Sequence, residues 1–256
     1  MSEKSFQDAQ NPIEALELYL SSYDNLYGKV QITTAQRAVE HLFEDWRGTR
    51  VLEIGAGGGI WTEWFLKKQA GVTCIEIRKP ILEGNRKKNP AADFILGDAT
   101  TVRVGERERE FDLVFAKDVI EHIEDDAKFL RNMNAHLKDG GKIVVITQNS
   151  LCLNFLIQGS YHYLRGNTAW CGWNPEHVRF YNYLSLKRKL ADAGFETRQW
   201  FGSYYIPYLL LRDHLGKIFE SKLFCAIELL GLSNIFPLGI FGWNIGVVAE
   251  KRRDLR

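Results

Sequence analysis

One nine-residue stretch constrains this chain more than any other: Val51-Leu-Glu-Ile-Gly-Ala-Gly-Gly-Gly59. Its apolar start around a single carboxylate predicts a short buried strand, Arg50 to Ile54, and the glycines after it predict a sharp turn. Ile60 to Gln69 then carries the apolar spacing of a helix. Strand, glycine turn and helix in that order form the nucleotide-binding half of a doubly wound α/β sheet. Glycine permits both the turn and close approach of a ligand to bare backbone, because no Cβ intervenes. Taken alone, the same run reads equally well as a tight turn.

The rhythm continues downstream. Val72 to Ile77 predicts a second strand, Pro80 to Lys88 a helix, Asp93 to Leu96 a third strand and Phe111 to Ala116 a fourth. Asp125 to Lys138 predicts a helix stopped by Gly140-Gly141, and Lys142 to Thr147 a fifth strand. Strands alternating with helices imply right-handed crossovers and a mostly parallel sheet. Ahead of this core, Pro12 opens one helical pattern, and Thr34 to Trp46 predicts another with Ala35, Ala38, Val39, Leu42 and Trp46 on one face. After Thr147 the alternation breaks. Residues 148–183 are rich in aromatics, Asn and Gly; Leu184 to Ala193 predicts a helix, Phe195 to Phe201 a strand, Ile206 to Leu232 an apolar helical stretch and Trp243 to Glu250 a last strand.

Composition narrows the class. A chain of 256 residues fits one domain: N-terminal helices over 1–47, a core over 48–147, and insertions at 148–183 and 203–241. Lys+Arg is 33 against 32 Asp+Glu, which leaves no basic surplus for a dedicated nucleic-acid binder. Cys74, Cys152, Cys171 and Cys225 form no C-x-x-C pair and suit a reducing compartment. Met1 to Asn11 is polar, without the apolar core of a secretion signal. The longest uncharged stretch, Leu229 to Ala249, is interrupted by Pro237 and four glycines. The expectation is a cytoplasmic chain with no transmembrane segment and no nucleic-acid partner. The amphipathic Ile206 to Leu232 keeps peripheral membrane contact open beside a lid role. Oligomeric state is not readable.

Two ligand readings compete at the glycine turn. A dinucleotide site wants G-x-G-x-x-G, but Ile60 stands where the third glycine would fall. S-adenosylmethionine carries a positive sulfonium and an amino acid tail, and Glu53, two places before Gly55, suits such a cation better. Glu76 ends the second strand 19 residues past Gly57, where a carboxylate can accept both ribose hydroxyls of either ligand. Asp98, after the third strand, can accept from an adenine amine, with the Ala99 backbone at the ring edge.

Together these segments resemble the class I S-adenosylmethionine-dependent methyltransferases, in their small-molecule, quinone-biosynthesis-like branch. The resemblance rests on the glycine motif, Cys74-Ile-Glu-Ile77, Leu96-Gly-Asp-Ala99, Phe111-Asp-Leu-Val-Phe-Ala116 with Val119-Ile-Glu-His122, and Leu137-Lys-Asp-Gly-Gly-Lys-Ile143, over residues 35–202 and the last strand. It implies a Rossmann-like seven-stranded sheet, mostly parallel with an antiparallel last strand, helices on both faces, and a helical, aromatic cap. It also implies that Gly55, Ala56, Gly57 and Gly59 wrap the methionine part of the cofactor, that Glu76 holds the ribose and that Asp98 holds the adenine. Ile77 would flank the adenine, and Ala116 and Lys117 would offer backbone to the tail. Tyr27, Gln31 and Arg37 are candidates for the tail carboxylate.

The expected reaction is in-line methyl transfer, with O-methylation of a small apolar or amphipathic molecule favoured. His177 is the first candidate base and His122 the second. Asp118, Glu121 and His122 resemble the Glu-x-x-Glu-His of metal-using relatives with Asp in place of the first Glu; a helix start is the favoured reading and no metal is assigned. Arg179 suits an anionic substrate group or Glu176, and Tyr161 and His162 are weaker candidates. A glycan or glycolipid acceptor, a non-catalytic S-adenosylmethionine-binding partner and a nicotinamide oxidoreductase are the alternatives. The segment Ala116-Lys-Asp118 lacks the Asn/Asp-Pro-Pro-aromatic motif of DNA or protein amino-methylases.

Overall fold

The computed structural model describes residues 26–104, 110–167, 176–203 and 228–253. The Pro12 helix and most of Ile206 to Leu232 lie outside them. In chain order the elements are α1 (Leu26–Glu40), β1 (Arg50–Ile54), α2 (Ile60–Lys67), β2 (Gly71–Glu76), α3 (Lys79–Lys88), β3 (Asp93–Leu96) and β4 (Phe111–Lys117). Then follow a 3-10 turn at Ile120–His122, α4 (Asp126–His136), β5 (Leu137–Gln148), α5 (Leu153–Leu164), α6 (Tyr183–Asp192), β6 (Phe195–Ser203) and β7 (Asn244–Lys251).

The seven strands form one sheet in the order β3-β2-β1-β4-β5-β7-β6. Only β7 runs against its neighbours, inserted between β5 and β6. Alternation along each strand divides the core. Leu52, Ile54, Val114, Ala116, Ile143 and Val145 pack with Phe129, Leu130 and Met133 of α4 and Leu186 and Leu190 of α6. Val51, Leu113, Phe115, Val144 and Ile146 pack with Ala35, Ala38 and Val39 of α1 and Trp61 and Phe65 of α2. Trp61 meets Phe115 at 4.4 Å between ring centroids. Each Val, Leu, Ile, Met or Phe side chain among these contributes about 1.5–3 kcal/mol on leaving water. Glu53 alternates with Leu52 and Ile54, so its carboxylate points into the α1/α2 layer at a core position.

Local chemistry explains the helix starts. Asp125 caps α4 by accepting from the Lys128 N–H at 2.8 Å. Asn182 and Ser185 form a reciprocal capping box at α6. Three expectations change. The helix expected to run to Trp46 stops at Glu40, and the Trp46 indole folds back to donate to the Glu40 carbonyl at 3.1 Å. Gly140-Gly141 does not end a helix: α4 closes at His136, and these glycines form an irregularity inside β5, where the pairing steps from Phe111–Leu137 to Leu113–Lys142. A Cβ on Gly141 would lie 2.9 Å from the Lys138 carbonyl oxygen, so the bend needs glycine. Finally, α5 forms within residues 148–183, where the sequence reading places no individual element, its first turn capped by Cys152 Sγ.

Strands β1 and β4 are sheet neighbours, but the chain leaves them in opposite directions. Their C-terminal ends therefore open the crevice where α/β sheets bind ligands.

Candidate functional site

Gly55, Gly57 and Gly59 adopt φ of 66°, 50° and 79°, a region that side chains disfavour. Gly55 is closed from above as well, since a Cβ there would fall 2.5 Å from Val119 Cγ2. Gly55 and Ala56 of the turn line a pocket at the β1/β4 seam, together with Glu53, Ile60, Trp61, Phe115 and Lys117. From α1 the pocket receives Ile32. Arg37 instead donates to the Leu229 carbonyl at 2.6 Å, and Tyr27 lies in the first turn of the same helix.

Glu53 is buried. Thr62 Oγ1 donates to its Oε2 at 2.7 Å, and Cys74 Sγ lies 3.6 Å from the same oxygen. Burial pushes its carboxyl up to about 8, against the pull of those hydrogen bonds. Glu76, at the end of β2, accepts from the Gly57 N–H at 3.3 Å and the Arg78 N–H at 3.1 Å. It thus braces the glycine turn from the neighbouring strand. Ile77 beside it is 65% exposed, an apolar side chain left open at the strand end. Asp98 follows β3, exposed, with Oδ1 accepting from the Thr100 N–H at 2.7 Å. Ala99 is buried, its carbonyl accepting from Asn132. The glycine turn, Glu76 and Asp98 thus stand at the ends of three adjacent strands, in sheet order. Ala116 is buried at the end of β4, and Lys117 pairs with Asp118.

A second group of side chains gathers past β4. Asp118 takes a φ of 53°, and the 3-10 turn then buries Glu121 completely. The helix start expected here forms as a three-residue 3-10 turn, with its carboxylate buried. Thr147 donates to Glu121 Oε2 at 2.8 Å, while Oε1 is buried without a hydrogen-bond partner. Burial, and then the charge of Asp118, push the Glu121 carboxyl up to about 8. The Val178 N–H donates to the Glu121 carbonyl at 2.8 Å, which lays residues 176–178 against the turn. His177 reaches 4.7 Å from His122 between ring centroids, and His122 Nδ1 lies 3.2 Å from the Glu176 carbonyl. Burial, and then His122, push His177 down to about 4, while Asp118 and Glu176 pull the other way. Its Nδ1 is buried without a partner.

Glu121, His122 and His177 bring one ligand atom each within 4.8 Å of one another. Two unpartnered buried acceptor atoms and a second imidazole are a donor set that fits a divalent cation. The trio differs from the sequence pattern: His177 joins Glu121 and His122, and Asp118 turns to Lys117. Arg179 also departs from expectation. It pairs with Asp126 at 2.6 Å, not with Glu176 or toward a ligand. Asp126 is buried and takes further hydrogen bonds from Tyr181 at 2.7 Å and Lys189 at 2.8 Å, so its charge draws these partners inward. Thr62, Thr147, Asp126 and Tyr181 escaped the sequence reading. The Asp125-Asp126 pair signalled a helix start, but not which of the two turns inward. Tyr161 and His162 fall on α5, with Tyr161 exposed.

Residues 27–199 match the family model described as a methyltransferase domain. The chain belongs to that family. Relatives include the ubiquinone biosynthesis O-methyltransferase of Chelativorans sp. (strain BNC1), 30% identical over 62% of this chain and 64% of that enzyme. That of Aromatoleum aromaticum is 28% identical over 62% of this chain and 69% of its own length. The match to the Chelativorans enzyme thus spans less than two thirds of it. The fold agrees with solved structures at low identity. An S-adenosylmethionine-dependent methyltransferase from Mesorhizobium loti superposes with a TM-score of 0.59 and 15% identity, covering 85% of this chain and 98% of that one. The [4+2]-cyclase SpnF superposes with a TM-score of 0.57 and 17% identity, covering 87% and 81%. Its name shows that this fold hosts more than one reaction. The architecture is thus the Rossmann-like methyltransferase fold, and the family implies S-adenosylmethionine as cofactor. No helix among the described residues is long and apolar enough to cross a membrane.

Proposed function

We propose that the protein transfers a methyl group from S-adenosylmethionine to a small apolar or amphipathic molecule, at a hydroxyl oxygen, in the cytoplasm. The observation that carries this reading is the seam pocket, where a positive-φ glycine turn faces a buried carboxylate at the sheet's switch point. The O-methyltransferase names of the relatives support an oxygen acceptor.

In this reading Glu53, Gly55, Ala56, Gly57 and Gly59 surround the methionine part of the cofactor. Glu76 takes the ribose, Ile77 flanks the adenine, and Asp98 with Ala99 meets the ring edge. Ala116 and Lys117 offer backbone, and Tyr27 with Arg37 approaches the tail carboxylate. Bound S-adenosylmethionine supplies a methyl group on a positive sulfur. The protein's work is then to align the acceptor in line with that carbon and to exclude water. With its imidazole pushed down to about 4, His177 is neutral at neutral pH and its unprotonated ring nitrogen takes the hydroxyl proton. The carboxylates of Asp118 and Glu176 favour the imidazolium formed by that transfer. Residues 148–183 and 203–241 form the substrate cap. Leu153, Leu156 and Ile157 on α5 are half exposed, which suits an apolar guest.

The unpartnered Glu121 Oε1 and His177 Nδ1 favour a second reading of the base. Glu121, His122 and His177 would hold a divalent cation, which lowers the pKa of a substrate hydroxyl. The test is incubation with methyl-labelled S-adenosylmethionine and a host extract, with and without chelator, followed by partition of the label. Label in the organic phase is expected. Label in the aqueous glycan fraction would replace the apolar acceptor with a sugar. Measurable cofactor binding without label from any extract would replace the enzyme with a non-catalytic binder. Loss of turnover with chelator, restored by magnesium, would assign the trio to a cation.

A further inference from the structure

Beneath the glycine turn runs a chain of buried polar side chains that belongs to none of the motifs. Asn85 and Asn89 lie at the C-terminal end of α3, Thr62 in the first turn of α2, and all three are buried. Asn89 Nδ2 donates to the Gly59 carbonyl at 3.2 Å and to Asn85 Oδ1 at 2.8 Å. Asn85 Nδ2 donates to Thr62 Oγ1 at 3.0 Å, and Thr62 donates to Glu53 Oε2 at 2.7 Å. The two amides press on the turn itself: a Cβ at Gly59 would lie 2.2 Å from Asn85 Oδ1 and 2.5 Å from Asn89 Nδ2.

The direction of this chain is dictated at one end. A backbone carbonyl can only accept, so Asn89 must turn its amide nitrogen toward Gly59. That nitrogen's second hydrogen meets Asn85, whose oxygen must therefore face Asn89 and whose nitrogen must face Thr62. Thr62 Oγ1 receives that hydrogen, and its own single hydrogen goes to Glu53. The Cys74 thiol, 3.6 Å away, serves the same oxygen, so both side-chain donors converge on Glu53 Oε2. Among the described residues no side-chain donor meets Oε1, which leaves that oxygen for a cation. Glu53 lines the seam pocket, so a ligand held there lies within reach of this carboxylate.

We infer that Asn89, Asn85 and Thr62 are positioning residues: a one-way hydrogen-bond relay, set by the Gly59 carbonyl, that orients Glu53 to receive the cationic amino group of the cofactor's tail. The inference rests on the proposed cofactor site and deepens it. It ties turn and carboxylate into one unit, so that the loop which shapes the pocket also aims its charge.

The test compares two ligands by calorimetry: S-adenosylmethionine, and methylthioadenosine, which keeps the adenosine and thioether but lacks the amino acid tail. Thr62→Val keeps the shape of the side chain and removes the hydroxyl. Asn85→Asp offers Thr62 an acceptor and so draws its hydrogen away from Glu53. Each is expected to weaken S-adenosylmethionine by about 10-fold or more, the size of one hydrogen bond to a charged group. Methylthioadenosine affinity should stay within about 2-fold, because a ligand without the ammonium gains nothing from Glu53. Thr62→Ser should retain wild-type affinity for both, and in turnover Thr62→Val should raise KM for S-adenosylmethionine with kcat unchanged. Parallel weakening of both ligands would reduce the relay to a structural tie, and unchanged S-adenosylmethionine binding in folded Thr62→Val would overturn it. Wild-type protein that binds neither ligand would remove the cofactor site itself, and the relay with it.

Discussion

Glu53→Gln isolates the energetic cost of the buried carboxylate. Gln matches the shape of Glu53 and keeps an oxygen for Thr62, but it has no charge to bury. In the folded protein burial raises the carboxyl from 4.5 to about 8. Between those values the folded chain holds a proton that the unfolded chain has released. Stability therefore falls as pH rises, is fully present below 4.5, and levels off above about 8. At about 1.4 kcal/mol per pH unit, the wild type should lose about 3 kcal/mol relative to Glu53→Gln between roughly pH 5.5 and 8.5. Thr62 and Cys74 oppose the rise and Glu76 adds to it, so the shift belongs to this cluster. Urea unfolding of both ligand-free proteins at a series of pH values measures the difference directly. Parallel stability curves would refute the reasoning, since they would mean that Glu53 is solvated or already ionised in the folded state. The same substitution should weaken S-adenosylmethionine, because a bound ammonium can displace the Glu53 proton and leave a negative oxygen, which an amide cannot provide.

Three further outcomes follow from the geometry. Gly59→Ala places a Cβ at φ 79° against Asn85 and Asn89, and should cost about 2 kcal/mol or more of stability by thermal unfolding, with loss of cofactor binding. Asp126→Asn should cost about 2–3 kcal/mol at neutral pH, because it leaves Arg179 and Lys189 without their shared carboxylate. Burial raises the Asp126 carboxyl, but the hydrogen bonds from Lys189, Tyr181 and Arg179 outweigh it and hold it below the usual range. That stability is present above the ordinary aspartate value and lost as pH falls through the acid range, so variant and wild type should converge in urea titrations at low pH. His177→Ala should lower turnover in the labelling assay while leaving S-adenosylmethionine affinity intact; equal losses in both would make His177 structural.

The parts legible in the sequence are those where local chemistry and fold agree. The strand Arg50 to Ile54 and its glycine turn are read from adjacent residues, and the positive φ at Gly55, Gly57 and Gly59 shows why glycine is needed there. Strand ends such as Glu76 and Asp98 follow from the same alternation. Contacts between distant segments leave no such trace. Thr62 and Asn85 are ordinary helix residues until α3 is laid against α2, and nothing in their spacing marks a hydrogen bond. His177 meets Glu121 only because Val178 bonds to the Glu121 carbonyl across more than fifty residues of chain. The Gly140-Gly141 misreading has the same origin, since two glycines after a helix pattern suit a helix end as well as a bend inside a strand.

Glu53 and Glu121 are both buried and both raised to about 8, one on β1 and the other in the turn that follows its neighbour β4. They differ in how their oxygens are used. Thr62 and Cys74 converge on one oxygen of Glu53, whereas Glu121 receives Thr147 on one oxygen and leaves the other bare. A buried acceptor without a partner costs about 1–3 kcal/mol, so Glu121 weakens the free protein at the point where His122 and His177 gather. Such a cost is expected where a substrate proton or a cation is to be received. Glu121→Gln should then keep the Thr147 hydrogen bond and present an N–H toward the bare position. Its melting temperature should equal or exceed that of the wild type, while in the cation reading label transfer falls up to about 100-fold. A variant that melts several degrees lower with turnover preserved would show the opposite: a carboxyl retained for packing, with the chemistry carried elsewhere.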